Sequence, residues 1–187
     1  IVARPFEKFF NLGQKEALIN PNLAYNVYPK RDGSLGIAYY YNQWNVVTRG
    51  SFDNPFIDYA KTFLHKFVAF PKNLTILVEI CMPPELDGLV RAVKETPGLH
   101  LLGAVNTETA EDIKTEDIKQ YWDGPCVLSL PYTLGDLLKK AETEEGAEGW
   151  VVRFENGSRI KIKSAWYLRL FRALSSFSES RIRDILV

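Results

Sequence analysis

Histidine and cysteine are scarce in this chain of 187 residues, which has only His65, His100, Cys81 and Cys126. There is no Cys-x-x-Cys spacing and no His/Cys cluster, so a zinc site or a disulfide framework is excluded. The two thiols read as buried free cysteines, which suits a reducing cytoplasm. Both histidines read as structural. Long apolar runs are also lacking: none reaches the roughly 18 residues of a membrane-spanning helix, and no membrane partner is expected. Net charge is missing too, with 23 Lys/Arg against 23 Asp/Glu. Whole-molecule charge therefore gives no attraction for nucleic acid. Glycine-rich phosphate loops of the Walker or Rossmann type do not occur, nor do internal repeats.

What is present is an ordinary globular composition, 46% hydrophobic and 13% aromatic. The length suits one domain with a real core. Charge is placed unevenly. From Arg153 to the end there are eight Lys/Arg and three Asp/Glu, whereas Thr107 to Glu148 carries four and eleven. Such a contrast can orient a polyanion, and two solvated helical faces can also produce it.

The patterning predicts an α+β domain. Leu23–Tyr28 alternates as a strand, and Ser34–Tyr41 with Gln43–Thr48 reads as a hairpin around Asn42. Asn54-Pro55 opens a helix, with Asn54 as cap and Pro55 in the first turn, running to about Phe67. Leu74–Cys81 and Leu99–Val105 are buried strands. Helices are predicted near Thr115–Trp122 and Thr133–Glu144. Trp150–Phe154 and Arg159–Lys163 form a hairpin at Asn156-Gly157. Ala165–Leu186 reads as one or two helices. Lys139–Glu148 is the most polar region and is expected at the surface as a loop.

Lys30-Arg31-Asp32-Gly33-Ser34 is the most informative stretch. Four further segments follow it in order: Thr48-Arg49-Gly50-Ser51-Phe52, Leu77-Val78-Glu79-Ile80, Glu148-Gly149-Trp150-Val151-Val152 and Arg159-Ile160-Lys161-Ile162-Lys163. A lysine amine becomes a nucleophile when neighbouring cations or burial remove its proton. Lys161 and Lys163, two apart on a strand, share one face and can crowd Lys30 while holding phosphates. Arg159 is expected on the opposite face unless the strand is bulged. Asp32 could anchor a ribose hydroxyl or a metal. Glu79 ends the most apolar strand and needs a partner, a ribose hydroxyl or a cation. Glu148 could hold magnesium, which prefers carboxylate oxygens. Arg49 suits a phosphate. Taken singly, these residues have plain readings: a turn at Asp32-Gly33-Ser34, a solvated strand face at Lys161 and Lys163, a core arginine paired with Glu79. The order of five elements favours the chemistry.

In its wording the chain resembles the phage-type RNA ligases, a family of covalent nucleotidyltransferases. The resemblance covers nearly the whole chain. It starts at Ala3-Arg4-Pro5-Phe6-Glu7-Lys8-Phe9-Phe10-Asn11-Leu12, runs through Lys30-Arg31-Asp32-Gly33-Ser34-Leu35, Arg49-Gly50-Ser51 and Glu148-Gly149-Trp150-Val151-Val152, and ends at Lys161-Ile162-Lys163-Ser164-Ala165-Trp166-Tyr167. It implies a nucleotidyltransferase (ATP-grasp-like ligase) domain, with antiparallel sheets flanking an ATP cleft. Lys30 would take AMP from ATP, with Asp32 and Gly33 of the same motif at the nucleotide. Glu79 would contact the ribose, and Glu148 and Asp32 the metal. Lys161 and Lys163 would bind the α-phosphate and activate Lys30. Lys8, Asn11 and Arg49 match positions that handle phosphates, and Tyr167 matches a tyrosine of the last motif. AMP would pass to a 5′-phosphate RNA end, which is then joined to a 3′-hydroxyl, as in RNA repair. Magnesium would be the metal, with manganese an alternative, and the setting phage-encoded or intracellular.

The chain departs from the family at Pro83-Pro84-Glu85-Leu86-Asp87-Gly88-Leu89-Val90, where an Asn-Arg-Ile-Val-like stretch is usual. It also lacks the upstream arginine-bearing segment and the following specificity domain. Residues 1–187 are thus expected to be the adenylyltransferase domain of a longer ligase. Other readings stay open. One is a lysine–AMP or lysine–GMP enzyme with a different acceptor, of the DNA ligase, capping or protein-AMPylating type. Another is a non-catalytic RNA-end-binding module, using Trp166, Tyr167, Phe171 and Phe177 for stacking.

Overall fold

Two sheets face each other across a cleft, and side-chain alternation in each decides what enters it. The computed structural model describes residues 1–17, 19–20, 22–87 and 91–176. In chain order its strands are β1 Phe10–Asn11, β2 Tyr25–Lys30, β3 Ser34–Tyr41, β4 Gln43–Thr48, β5 Leu74–Cys81, β6 Gly98–Asn106, β7 Asp112–Ile113, β8 Gly149–Phe154 and β9 Arg159–Lys163. The α-helices are α1 Pro55–Lys61, α2 Pro84–Asp87, α3 Thr115–Ile118, α4 Leu134–Thr143 and α5 Ala165–Ser176. One sheet has the order β1-β9-β8-β2, the other β4-β3-β5-β6-β7. All pairings are antiparallel except β1 with β9.

In the five-stranded sheet, Leu74, Ile76, Val78 and Ile80 of β5 face outward. They pack with Ala38, Val46 and Leu101 under α1, α3 and the aromatic residues Phe67, Phe70 and Trp122. The alternate residues Leu77 and Ile37 face the cleft and are covered by Phe6 of the N-terminal segment. β5 is thus buried on both faces, which accounts for its continuous apolar sequence. In the four-stranded sheet, Val27, Trp150, Val152, Phe154, Ile160 and Ile162 pack on Leu137 of α4. Their neighbours Tyr28, Lys30, Val151, Arg153 and Lys161 line the cleft. Period-two alternation explains this division without further assumption.

The segment after α3 stitches the sheets together. Val127 N–H donates to Leu101 C=O at 2.9 Å and Leu130 N–H to Val27 C=O at 2.8 Å, one bond to each sheet. Asp112 of β7 adds a second tie. Its carboxylate accepts from Arg153 Nε at 3.0 Å and from Arg159 Nη2 at 2.8 Å, both on the opposite sheet. Gly149 sits at φ +146°, where an added Cβ would collide with the Ile162 carbonyl, so no other residue fits this close β8–β9 crossing.

Several expected elements differ in detail. The helix opened by Asn54, whose Oδ1 accepts from Ile57 N–H at 3.0 Å, ends at Lys61, and Leu64–Phe67 is a separate 3₁₀ turn. The expected helix Thr115–Trp122 is α3 followed by a 3₁₀ turn, Lys119–Tyr121. Lys139–Glu148 is not a surface loop throughout: Lys139–Thr143 completes α4, and Glu148 is 2% exposed. A capping box at Thr133 and Asp136 starts that helix, and its exposed face makes the region read as polar. The two-residue strands β1 and β7 carry no period of their own. Of the helical region expected over Ala165–Leu186, α5 accounts for Ala165–Ser176; the rest, Phe177 included, lies outside the described residues. No described helix is long and apolar enough to cross a membrane.

Candidate active site

Lys30 is the last residue of β2, an edge strand, and pairs with Gly149; Gly149 in turn pairs with Lys163. This register places two lysine side chains around one carboxylate. Glu148 Oε2 lies 2.7 Å from Lys30 Nζ, and Glu148 Oε1 lies 3.1 Å from Lys163 Nζ. Glu148 is buried, and a buried carboxylate needs such partners. Its backbone is fixed as well: Ser164 N–H donates to Glu148 C=O at 3.0 Å, and Ser164 Oγ donates to Ala147 C=O at 2.7 Å.

Beside this pair, a cleft of about 350 Å³ opens between the sheets. Its walls include Leu35, Leu102, Val127 and Val151, and its charged lining includes Lys8, Lys30, Arg31, Arg49, Lys114, Lys161 and Glu79. Lys161 is held below the ordinary lysine range by burial first, then by Lys30 and Lys163, with Arg49 adding to the effect against the pull of Glu148. Its amine rests over the Phe9 ring at 4.6 Å. Glu79 accepts from Gly33 N–H at 3.0 Å. Burial pushes its carboxyl up to about 7; Lys30 opposes that shift and Glu148 adds to it. Gly33 is needed where it stands, because a Cβ there would lie 2.6 Å from the Ile80 carbonyl oxygen and 2.8 Å from Glu79 Cγ.

The structure brings Lys30, Glu148, Lys161, Lys163, Glu79, Arg49 and Lys8 to one region. Arg49 Nη2 donates to Phe6 C=O at 3.0 Å at the cleft wall. Lys8 lies 5.0 Å from the Phe10 ring centroid. Asn11 pairs in register with Lys161; its Nδ2 donates to Gln14 at 3.2 Å, while its buried Oδ1 has no partner among the described residues. Arg159 is on the lysine face without any bulge, contrary to expectation. Positions 159, 161 and 163 are each two apart, and the β8–β9 register is regular. Its guanidinium sits 3.8 Å over the Phe6 ring and lines the same cleft.

Asp32 and Tyr167 are not among the residues lining the cleft. Asp32 Oδ1 accepts from Tyr167 Oη at 3.4 Å and lies 3.6 Å from Arg91 Nη1, and its Oδ2 accepts from Val93 N–H at 3.3 Å. Burial, then the charges of Glu148 and Asp32, hold the Tyr167 hydroxyl protonated well above its usual range. Tyr167 also stacks on Phe171, with Lys163 Nζ 4.8 Å from the Tyr167 centroid. Tyr167, stacked on Phe171, thus serves the site's scaffold. Among the described residues no group of three His, Cys, Asp or Glu side chains could by itself hold a metal ion. Glu148 fits a cation that keeps its waters and shares substrate phosphates; Asp32, turned toward Arg91, fits that role poorly.

Sequence reasoning missed Arg31, Phe6, Phe9, Lys114 and Arg153, all of which line the cleft. Arg153 was within reach, since it alternates with Val151 on a strand already predicted. Lys114 was not, because the fold carries it in from the far sheet.

Two antiparallel-rich sheets around a basic cleft, with a lysine at a strand end, form the fold that solved ATP-dependent ligases share. The RNA ligase family model matches residues 1–167, and the chain belongs to this phage-type RNA ligase family. Among solved structures, the fold is similar to that of a variant RNA ligase from Naegleria gruberi with ATP and Mn, at a TM-score of 0.58 and 18% identity over 79% of this chain and 51% of that one. The same ligase with PPi gives 0.57 and 18% over 80% and 52%. A chain from Aquifex aeolicus, provisionally described as an ATP-dependent DNA ligase, gives 0.59 and 22% over 76% and 44%. This chain therefore spans about half the length of these relatives.

Proposed function

We propose that the chain is the adenylyltransferase part of an ATP-dependent RNA ligase. The observation that carries the reading is Lys30 Nζ at 2.7 Å from buried Glu148, at the edge of a cleft lined with cations. ATP would enter with its base between the apolar walls and its phosphates toward Lys8, Arg49 and Lys161. Lys30 Nζ attacks the α-phosphorus, a P–N bond forms, the bond to the α–β bridging oxygen breaks, and pyrophosphate leaves. The amine gives up its proton as the P–N bond forms, with the Glu148 carboxylate beside it. Lys161 and Lys163 offset negative charge that develops on the phosphoryl oxygens, so catalysis is mainly positioning and electrostatics. Glu79 faces the ribose. Magnesium or manganese, held by Glu148 and the phosphates, would neutralise further charge. Asp32 holds the turn after the nucleophile.

The acceptor is a 5′-phosphate RNA end, whose phosphate oxygen attacks the lysine–AMP phosphorus and releases Lys30; a 3′-hydroxyl then displaces AMP. RNA as acceptor rests on family membership, because the fold itself is shared with a DNA-ligase-like chain. Incubation with α-phosphate-labelled ATP and magnesium, then a denaturing gel, tests the first step. Label is expected on the wild type and not on Lys30→Ala, whose circular dichroism should match the wild type. Equal labelling of both would overturn the assignment. Nucleotide competition and a comparison of RNA with DNA ends would separate ligase, capping and DNA-joining acceptors.

A further inference from the structure

The turn that carries the nucleophile is held by a segment with no counterpart among the motifs. After Lys30 the chain leaves its edge strand, and Arg31, Asp32 and Gly33 lead into β3. Residues 91–95, about 60 positions downstream in no regular element, grip each of the three. Arg91 Nη1 donates to Gly33 C=O at 3.2 Å and lies 3.6 Å from Asp32 Oδ1. Val93 N–H donates to Asp32 Oδ2 at 3.3 Å. Glu95 uses both oxygens: Oε1 accepts from Asp32 N–H at 3.2 Å, and Oε2 accepts from Arg31 Nη1 at 3.1 Å. Arg91 is itself anchored, with Nε donating to Asp87 Oδ2 at 2.8 Å and its guanidinium 5.6 Å over the Phe56 ring. The Glu95 and Asp32 carboxylates are both nearly buried, at 9% and 7% side-chain exposure. These are therefore bonds shielded from water, not loose surface pairs.

We propose that Arg91 and Glu95 are positioning residues for the lysine nucleophile, clamping the Arg31–Gly33 turn so that Lys30 Nζ stays aimed into the cleft. This rests on reading Lys30 as the nucleophile. The physical case is that a strand end has backbone pairing on one side only, and a long flexible side chain there gains aim only if the following turn is fixed. Misplacing a reacting group by about 1 Å costs on the order of 100-fold in rate.

The test compares wild type, Glu95→Ala, Glu95→Gln and Arg91→Met. Two quantities are read: the rate of lysine labelling at increasing ATP, and amide hydrogen exchange of the unliganded proteins. A clamp predicts that the labelling rate at saturating ATP falls about 10- to 100-fold in Glu95→Ala and Arg91→Met, while the ATP concentration giving half-maximal rate moves less than about threefold. Glu95→Gln keeps the acceptor for Asp32 N–H and should recover part of the rate. Exchange should speed up at residues 31–34 and stay unchanged in β5 and β6. Labelling within about twofold of wild type in both variants would overturn the proposal, as would faster exchange spread through β5 and β6, the mark of general loosening. If the wild type itself takes no label, the nucleophile reading falls, and exchange alone then decides the clamp: unchanged exchange at 31–34 refutes it, and a local rise supports it as a hold on the turn.

Discussion

Glu79 is the residue at which the site's electrostatics become measurable without any substrate. It sits on the buried central strand and faces the cleft, and its carboxyl titrates near 7 instead of its ordinary 4.5. The folded state therefore binds this proton more tightly than the unfolded chain does. Its contribution to stability is complete below about pH 4.5 and is lost as pH rises through about 7. Glu79→Gln, which is neutral at every pH, should flatten this part of the profile. Against wild type it should gain thermal stability between pH 5 and 8, by an amount on the order of a few degrees, and show no gain near pH 4. Thermal melts across that range check the sign; parallel curves for the two proteins would mean that Glu79 is not the group responsible. At the same scale, Lys30→Ala should leave the fold unchanged while abolishing the labelling. Lys30 lies at the edge of the cleft, 21% exposed, and buried Glu148 keeps Lys163 at 3.1 Å as its counter-charge.

At the scale of elements, Ser164 shows how a short motif does structural work for the site. It lies between β9 and α5 and is fully buried. Its Oγ accepts from Tyr167 N–H at 3.0 Å, which caps the first turn of α5, and donates to Ala147 C=O beside Glu148. Ser164→Ala should cost about 1–2 kcal/mol, because a capping acceptor is lost and the half-buried Ala147 carbonyl loses its partner. Urea unfolding would measure it, and the labelling rate should fall as well, since Glu148 loses one of its backbone supports. The long elements were legible in the sequence. β3, β4, β5, β8 and β9 carry period-two patterns or continuous apolar runs, and the Asn54-Pro55 start of α1 is a local signal. The lysines of β9 were legible for the same reason, whereas the burial of Glu148 was not, because the polar run Lys139–Glu148 reads as a surface loop. What was hidden depended on tertiary contact: the two-residue strands, the break after Lys61, and above all Asp32. Its aspartate reads as a ligand on paper, but it folds against Arg91, Val93 and Tyr167, which are distant in sequence.

The whole molecule depends on two sheets keeping a fixed separation, since the proposed site draws Lys30 and Lys161 from one and Glu79 and Arg49 from the other. Among the ties that set that distance is Asp112, a charged one. One carboxylate on β7 accepts from Arg153 and Arg159 on the facing sheet, whose side chains are 7% and 9% exposed. Removing the acid leaves two guanidinium groups out of water without a counter-charge, which typically costs about 3–5 kcal/mol when a buried pair is broken. Asp112→Ala should therefore lower the urea midpoint strongly. Because these ions are shielded, added salt should change the difference little, unlike the loss of a surface pair. If the cost comes from stranded charge and not from lost packing, Arg153→Met in the Asp112→Ala background should restore part of the stability. If the double variant is no better than the single, the tie holds the sheets by geometry alone. In either case the cleft should respond: with Asp112 gone, the labelling rate of the surviving folded protein should drop although no residue in contact with the nucleophile has been altered.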